Sequence, residues 1–104
     1  MPTEYAGRSE EHDLGDGHSF VWSIDEFGHV YGLIEHHPAA DGGSPYCGGY
    51  IAWAVPQHWP TCVPRHELVR GGPGEEALVT ISPSLACRTC GNHGFIRDGK
   101  WVTA

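Results

Sequence analysis

The clearest pattern near the start of the chain is an alternation of apolar and polar residues. Phe20, Trp22 and Ile24 recur at every second position, and a second alternating segment covers residues 30–34. A period of two is typical of β-strands that bury one face. The intervening residues 25–28, Asp-Glu-Phe-Gly, favour a tight turn. We therefore predict a β-hairpin here.

A third strand is predicted over residues 46–55, because Ile51, Trp53 and Val55 fall on one face. The segment 38–45 before it is rich in glycine and proline and is interpreted as a loop. After it, three prolines within 56–64 exclude a regular central strand or helix.

The second half of the chain carries shorter apolar segments. Strands are predicted over residues 66–70 and 77–81, separated by the turn 71–74. Apolar residues on either side of Asp98-Gly99 predict a last hairpin over 95–102, since Asp-Gly is a strong two-residue hairpin signal.

The predicted strands and turns indicate a mostly β fold class. We expect a small, single-domain fold of antiparallel sheet and β-hairpins. The chain has 104 residues, of which 15 are glycine and 8 are proline, and no segment reads as a long helix. We expect residues 1–17 to form a flexible polar arm, with too few apolar groups to offset the entropy of ordering them. Residues 18–104 are expected to form one domain.

Charge narrows the classes of partner. Thirteen acidic residues against six basic ones give a net charge of −7, which is the wrong sign for a protein that binds nucleic acid through its phosphates. No apolar run approaches the roughly 20 residues of a membrane span, so no membrane partner is predicted. The polar start of the chain has no export signal, and we expect a cytoplasmic protein.

The strongest local motif is Cys87-Arg-Thr-Cys90 followed by Gly91, which we call the knuckle. Two thiolates three positions apart around a tight turn can both reach one tetrahedral ion, and zinc is the metal that such a pair most often holds. We expect a zinc-stabilised domain with a zinc-knuckle-like C-terminal unit. One such pair is half of a structural site, so two further ligands are needed.

Several residues offer those ligands. Cys62 and His66 together with the knuckle resemble two short-spaced pairs of a zinc ribbon. Cys47 with either His66 or His93 is equally good chemistry. The cysteines could also be free buried thiols, or the knuckle a redox pair, although Gly91 and the residues after it are poor helix formers and disfavour the redox reading.

The histidines and tryptophans have simpler interpretations than metal binding. His36 and His37 are adjacent on a strand end, so their side chains point to opposite faces and do not easily hold one ion together. One of the two could serve as a ligand or a base, but the surface is the preferred expectation for both, as it is for the histidines at positions 12, 18, 29 and 58. Tryptophans are expected in the core and at its rim, where an exposed one would suit a protein partner.

Residues 80–101, Thr-Ile-Ser-Pro-Ser-Leu-Ala-Cys-Arg-Thr-Cys-Gly-Asn-His-Gly-Phe-Ile-Arg-Asp-Gly-Lys-Trp, resemble an uncharacterised family of phages, prophages and their actinobacterial hosts. The hallmark of this domain of unknown function is Ser-Pro-Ser-Leu, then cysteines, His-Gly-Phe and an Asp-Gly turn. Some relatives carry another Cys-Pro-x-Cys pair, which this chain lacks. Because Cys47 and His66 lie in resembling segments, the resemblance favours them over Cys62.

Two functional hypotheses follow. The first is a phage- or prophage-encoded zinc-binding protein without enzymatic activity, which is an accessory virion component or a host-directed factor and binds a protein partner of the virion or of the host. The second is a small zinc-dependent hydrolase in which Cys87, Cys90 and one histidine leave an open position for water, with His93 or Glu67 handling the proton.

Overall fold

The computed structural model describes residues 10–38, 47–87 and 90–104. These residues contain no α-helix, and a short 3-10 turn at Glu76–Leu78 is the only helical element among them. Nine strands run through them: β1 His12–Gly15, β2 His18–Ile24, β3 Val30–His37, β4 Cys47–Ala52, β5 Glu67–Arg70, β6 Thr80–Ser82, β7 Leu85–Ala86, β8 His93–Arg97 and β9 Lys100–Thr103. The predicted mostly β, single-domain antiparallel fold is confirmed.

The strands form three antiparallel sheets. The largest has the order β1-β2-β3-β4, a second pairs β5 with β6, and the third has the order β7-β8-β9. Every neighbour in these orders is also the next strand in the chain. The predicted first hairpin is β2–β3, and the predicted last hairpin is β8–β9.

The turn between β2 and β3 is held by the side chain of Asp25. Its carboxylate accepts hydrogen bonds from the backbone N–H groups of Phe27 and His29, each at 2.9 Å. Burial alone would raise the pKa of Asp25, but these two donors outweigh it and hold the pKa below its usual value. The predicted turn at 25–28 is confirmed.

The predicted end of the flexible arm at residue 17 was wrong. Residues 12–17 belong to the domain, because β1 pairs with β2 and the side chain of Leu14 is buried in the core. The turn between them has positive φ at Asp16 (54°) and at Gly17 (82°), as a two-residue hairpin turn requires. Residues 1–9 of the predicted arm lie outside the described residues.

Three further predictions differ from the structure in detail. The third strand ends at Ala52, because the backbone N–H groups of Trp53 and Ala54 both turn to the carbonyl of Tyr31, and Val55 is exposed. Part of 77–81 forms the 3-10 turn before β6, and β7 was not predicted. The expected loop at 38–45 lies outside the described residues beyond Pro38.

One apolar core joins the largest sheet to the sheet of β7–β9. Its buried members are Leu14, Phe20, Trp22, Leu33, Ile51, Val79, Ile81, Leu85, Ile96 and Trp101. Gly94 lets the indole of Trp101 lie against β8, since a Cβ at that position would meet the ring at 2.5 Å. The β8–β9 turn has positive φ at Asp98 and Gly99, and Gly99 N–H donates to the carbonyl of Val79.

Candidate metal centre

Four potential metal ligands lie where strands begin or end. His37 is the last residue of β3 and is paired in register with Cys47, the first residue of β4. Cys87 directly follows β7, and Cys90 lies shortly before β8. The pairing of β3 with β4 and the position of the knuckle beside these strand ends bring an imidazole and three thiols together.

The donor atoms of these four residues all lie within 4.8 Å of one another. The sulfur atoms of Cys47 and Cys87 are 3.1 Å apart, and Nε2 of His37 is 3.2 Å from the sulfur of Cys90. Two sulfurs bound to one tetrahedral zinc ion lie roughly 3.8 Å apart, given a Zn–S bond of about 2.3 Å. Small side-chain rotations therefore suffice for all four to reach one ion.

The knuckle closes through backbone hydrogen bonds. Gly91 N–H donates to the carbonyl of Cys87 at 2.8 Å, and Cys87 N–H donates to the carbonyl of Asn92 at 2.7 Å. Gly91 has φ of 79°, a conformation that glycine adopts without a steric penalty. The loop thus turns back on itself and directs both thiols of the knuckle to one side. Residues 88 and 89 lie outside the described residues.

Glu35 orients His37 for metal binding. Its buried carboxylate accepts hydrogen bonds from Nδ1 of His37 at 2.8 Å and from Nδ1 of His18 at 2.7 Å. In the neutral imidazole with its proton on Nδ1, which is the form that binds a metal, Nε2 of His37 carries the lone pair, and this atom lies 3.2 Å from the sulfur of Cys90. A carboxylate behind a metal-binding histidine is the usual arrangement for fixing the tautomer and the ring orientation.

His18, Glu35 and His37 also form a second group of donors that lie close together. Their separations are hydrogen-bond lengths, and the ring of His18 stacks on Trp101 with centroids 3.9 Å apart. The group is therefore satisfied by its own hydrogen bonds and by stacking. We interpret it as the support of the first group.

The electrostatics of the site favour a cation. Burial would lower the pKa of His37, but the hydrogen bonds to Glu35 and Cys90 raise the pKa to about 9. The hydrogen bond with Cys87 and burial raise the pKa of the Cys47 thiol to about 12. Cys47 resists becoming a thiolate beside two further sulfur atoms, and a divalent ion that replaces its proton removes that resistance.

The structure brings together three of the five residues predicted as metal ligands, Cys47, Cys87 and Cys90. The other two lie near Ser84 and outside the group: His66 Nε2 is 3.3 Å from its carbonyl oxygen, and His93 Nε2 is 2.8 Å from its hydroxyl. His93 is an exposed first residue of β8.

Cys62, which the sequence offered as an alternative ligand, is also outside the group. It is buried beside the 59–62 turn, where its N–H donates to the carbonyl of Trp59. The fourth member of the group is instead His37.

Sequence reasoning left His37 out of the ligand sets, because the surface was preferred for it over a role as a ligand. That expectation was wrong for His37 and His18, which are 2% and 4% exposed. The available signal was Glu35-x-His37: residues two apart on a strand share a face, and a carboxylate next to a histidine on a buried face needs a partner. The expected opposite orientation of His36 agrees with its contact with Glu11 rather than with the group.

A scan against models of protein families, a search of curated proteins and a search of solved structures each found no match to the chain. No helix in the described ranges is long and apolar enough to cross a membrane. Fold and site together define a small β-rich domain with a Cys₃His group that can hold a metal ion.

Proposed function

We propose that the protein is a zinc-binding domain in which one structural ion joins His37, Cys47, Cys87 and Cys90, and that the domain acts by binding another protein. The observation that carries the zinc part is the convergence of these four donor atoms within 4.8 Å, with His37 oriented by Glu35.

The donor set argues for zinc and for a structural role. Three thiolates and one imidazole in a tetrahedral arrangement are a common structural zinc set, whereas magnesium and calcium prefer oxygen donors. Catalytic zinc sites keep a position for water or substrate, and four protein donors fill all four positions. The ion therefore has a structural role: it cross-links the segments that carry the four ligands, and we call it the staple.

The staple links parts of the chain that are far apart in sequence. His37 and Cys47 belong to the largest sheet, and Cys87 and Cys90 flank the step from β7 to β8 in another sheet. Because the unfolded chain has no such site, the free energy of binding becomes free energy of folding. A domain of 104 residues, with a core of limited size, gains considerably from it.

The protein-binding part rests on the surface. Large apolar side chains are exposed on several loops and on β4, among them Phe27, Tyr50, Trp59 and Val63. Aromatic residues that remain exposed are typical anchors for protein partners. The net charge of −7 disfavours nucleic acid as an alternative partner.

The phage or prophage context, and the choice between a virion component and a host-directed factor, stay predictions from the resemblance of residues 80–101. Mass spectrometry of purified particles tests the virion version. Detection of the protein at a fixed copy number per particle would support it. If the infected cells express the protein but the particles purified from them lack it, the virion version is excluded.

The zinc proposal is tested by metal analysis of the purified chain, followed by replacement of the metal with cobalt. We expect one zinc per chain, and visible absorption of a tetrahedral, thiolate-rich cobalt site after exchange. A strong chelator should lower the Tm. Protein with no stoichiometric metal, and with an unchanged Tm in chelator, would contradict the proposal.

The second candidate is the zinc hydrolase, and one observation favours it. A cavity of about 70 Å³ adjoins the group and is lined by His37 and Cys87, with His66 and Asn92 also on its wall. The hydrolase requires that water replace one of the four donors. An anomalous-scattering map of zinc-loaded crystals decides between them: four protein ligands support the staple, and a coordinated water facing the cavity supports the hydrolase.

A further inference from the structure

One edge of β4 pairs with no other strand in the part of the chain that the structure describes, although Ala52 at its end accepts a hydrogen bond from His66. The strand lies at one side of the largest sheet and pairs only with β3 there. Trp53 N–H donates to the carbonyl of Tyr31, and alternation from this bond directs the backbone groups of Gly48 and Tyr50 away from β3. Such an edge is a ready template for another strand.

A groove of about 370 Å³ runs beside this edge. Its apolar wall includes Tyr50, Trp59 and Val63, which are 57%, 41% and 67% exposed. The rings of Tyr50 and Trp59 meet edge to face, with centroids 6.0 Å apart. Where β4 ends, His66 N–H donates to the carbonyl of Ala52. This bond holds the wall of the groove that contains His66 against β4.

The charge of the groove is opposite to that of the chain. Arg65 and His66 lie on its wall, and none of the described residues that line it is Asp or Glu. The chain as a whole has thirteen acidic and six basic residues. A groove without carboxylates and with an arginine on its wall attracts an anionic group, and a second copy of so acidic a chain is a poorer occupant.

We propose that an extended segment of a partner protein, with apolar side chains flanked by Asp or Glu, adds as a strand along β4. Its backbone bonds to Gly48 and Tyr50, an apolar side chain packs against Trp59 and Val63, and a carboxylate pairs with Arg65. Strand addition supplies affinity through the main chain, and the groove supplies specificity. The inference rests on the proposed protein-binding function and names its partner class.

The experiment uses zinc-loaded, ¹⁵N-labelled full-length protein and capped synthetic octapeptides followed by NMR. The first probe is Ser-Asp-Val-Glu-Val-Asp-Val-Ser, and the second carries Lys at each acidic position. We expect the acidic peptide to shift the amides of Gly48 and Tyr50 and the indole N–H of Trp59. The lysine peptide should bind at least ten-fold more weakly.

Strand addition is separated from general stickiness by N-methylation. Two versions of the acidic peptide are methylated at alternate backbone amides. One version carries the methyl groups on the odd-numbered residues, and the other carries them on the even-numbered residues. A strand on β4 turns every second N–H to the protein, so one version should lose binding at least ten-fold and the other should retain it. Equal binding of both versions would overturn the strand model.

Arg65→Glu should exchange the preference, so that the lysine peptide binds the more tightly. Arg97→Glu on β8 is the matched control and should leave both affinities unchanged. Equal binding of the two peptides to the native protein, or shifts confined to other surfaces, would overturn the inference. Shifts at Gly48 and Tyr50 that depend on protein concentration without peptide would mean that a second copy takes the edge, which also overturns it.

Zinc content and Tm are measured on every sample, which separates this inference from the zinc role. Protein with one zinc, a chelator-sensitive Tm and no peptide binding contradicts the β4 surface and leaves the staple standing. Protein that binds the acidic peptide as described but lacks zinc contradicts the staple and supports the surface.

Discussion

Two regions hold the largest sheet to the sheet of β7–β9, and they do so by different physics. One is the apolar core around Trp22, Leu33 and Ile96, and the other is the Cys₃His group. They touch where His18, which bonds to Glu35, stacks on Trp101. The core is stabilised by removing apolar surface from water, whereas the group buries polar atoms and is favourable only when each finds a partner.

The difference decides how each region should respond to change. In the core, stabilisation is shared among ten buried side chains, so the loss of one leaves the others in place. In the metal group, four donors act on one ion, so the loss of one donor endangers the whole contribution. Substitutions of buried residues in the two regions therefore test whether the core loses stability in part and the metal group loses it as a unit.

The largest effect is expected for Cys87→Ser. It should lose stoichiometric zinc and lower the free energy of unfolding by on the order of 5 kcal/mol, because binding and folding are coupled. Chelator should then have no further effect on the Tm. Cys62→Ser is the control, since Cys62 is also buried but lies outside the group; its zinc content should be normal.

A smaller effect is expected for Ile96→Ala in the apolar core. Ile96 is fully buried, and the cavity left behind should cost about 3 kcal/mol in a denaturant titration. Zinc stoichiometry should stay at one per chain. Loss of zinc from this variant while it remains folded would show that the two regions are not separable as described.

Glu35→Gln should weaken zinc binding by about 10- to 100-fold, as measured by competition with a coloured chelator. A neutral amide oxygen is a weaker acceptor than the carboxylate oxygen that bonds to both His37 and His18, so the orientation of His37 is less firmly held. Glu67→Gln changes an exposed glutamate on β5 and serves as the control. Equal zinc affinity of the two variants would contradict the supporting role of Glu35.

The smallest effect is expected for His93→Ala. Its exposed side chain contacts Ser84, so zinc content should be unchanged and stability should alter by about 0.5 kcal/mol or less. His37→Ala should lose zinc. The opposite outcome, zinc lost with His93 and retained without His37, would restore a ligand set that the sequence suggested and would contradict the one from the structure.

The strands could be predicted largely because alternation is a local property of the chain. β1 was missed since Leu14 is its one buried apolar residue, although Asp16-Gly17 is the same turn signal that correctly located the hairpin at Asp98-Gly99. The lesson is that a short edge strand with a single core contact has little hydrophobic pattern of its own. Its turn residues carry the signal.

The metal group was predictable to the extent that its ligands are thiols. Cys87 and Cys90 form a local motif, and Cys47 was a candidate by residue type. The position of His37 beside these thiols depends on the pairing of β3 with β4, which places His37 opposite Cys47. Spacing along the chain does not contain that register, so His66 and His93, which lie nearer in sequence to the knuckle, were the natural choices.

The most direct test of the central claim is zinc K-edge X-ray absorption on the purified, zinc-loaded protein. We predict three sulfur neighbours at about 2.3 Å and one nitrogen at about 2.0 Å, with the nitrogen contribution lost or replaced in His37→Ala. A shell with two or fewer sulfurs, or one that is unchanged in His37→Ala, would contradict it.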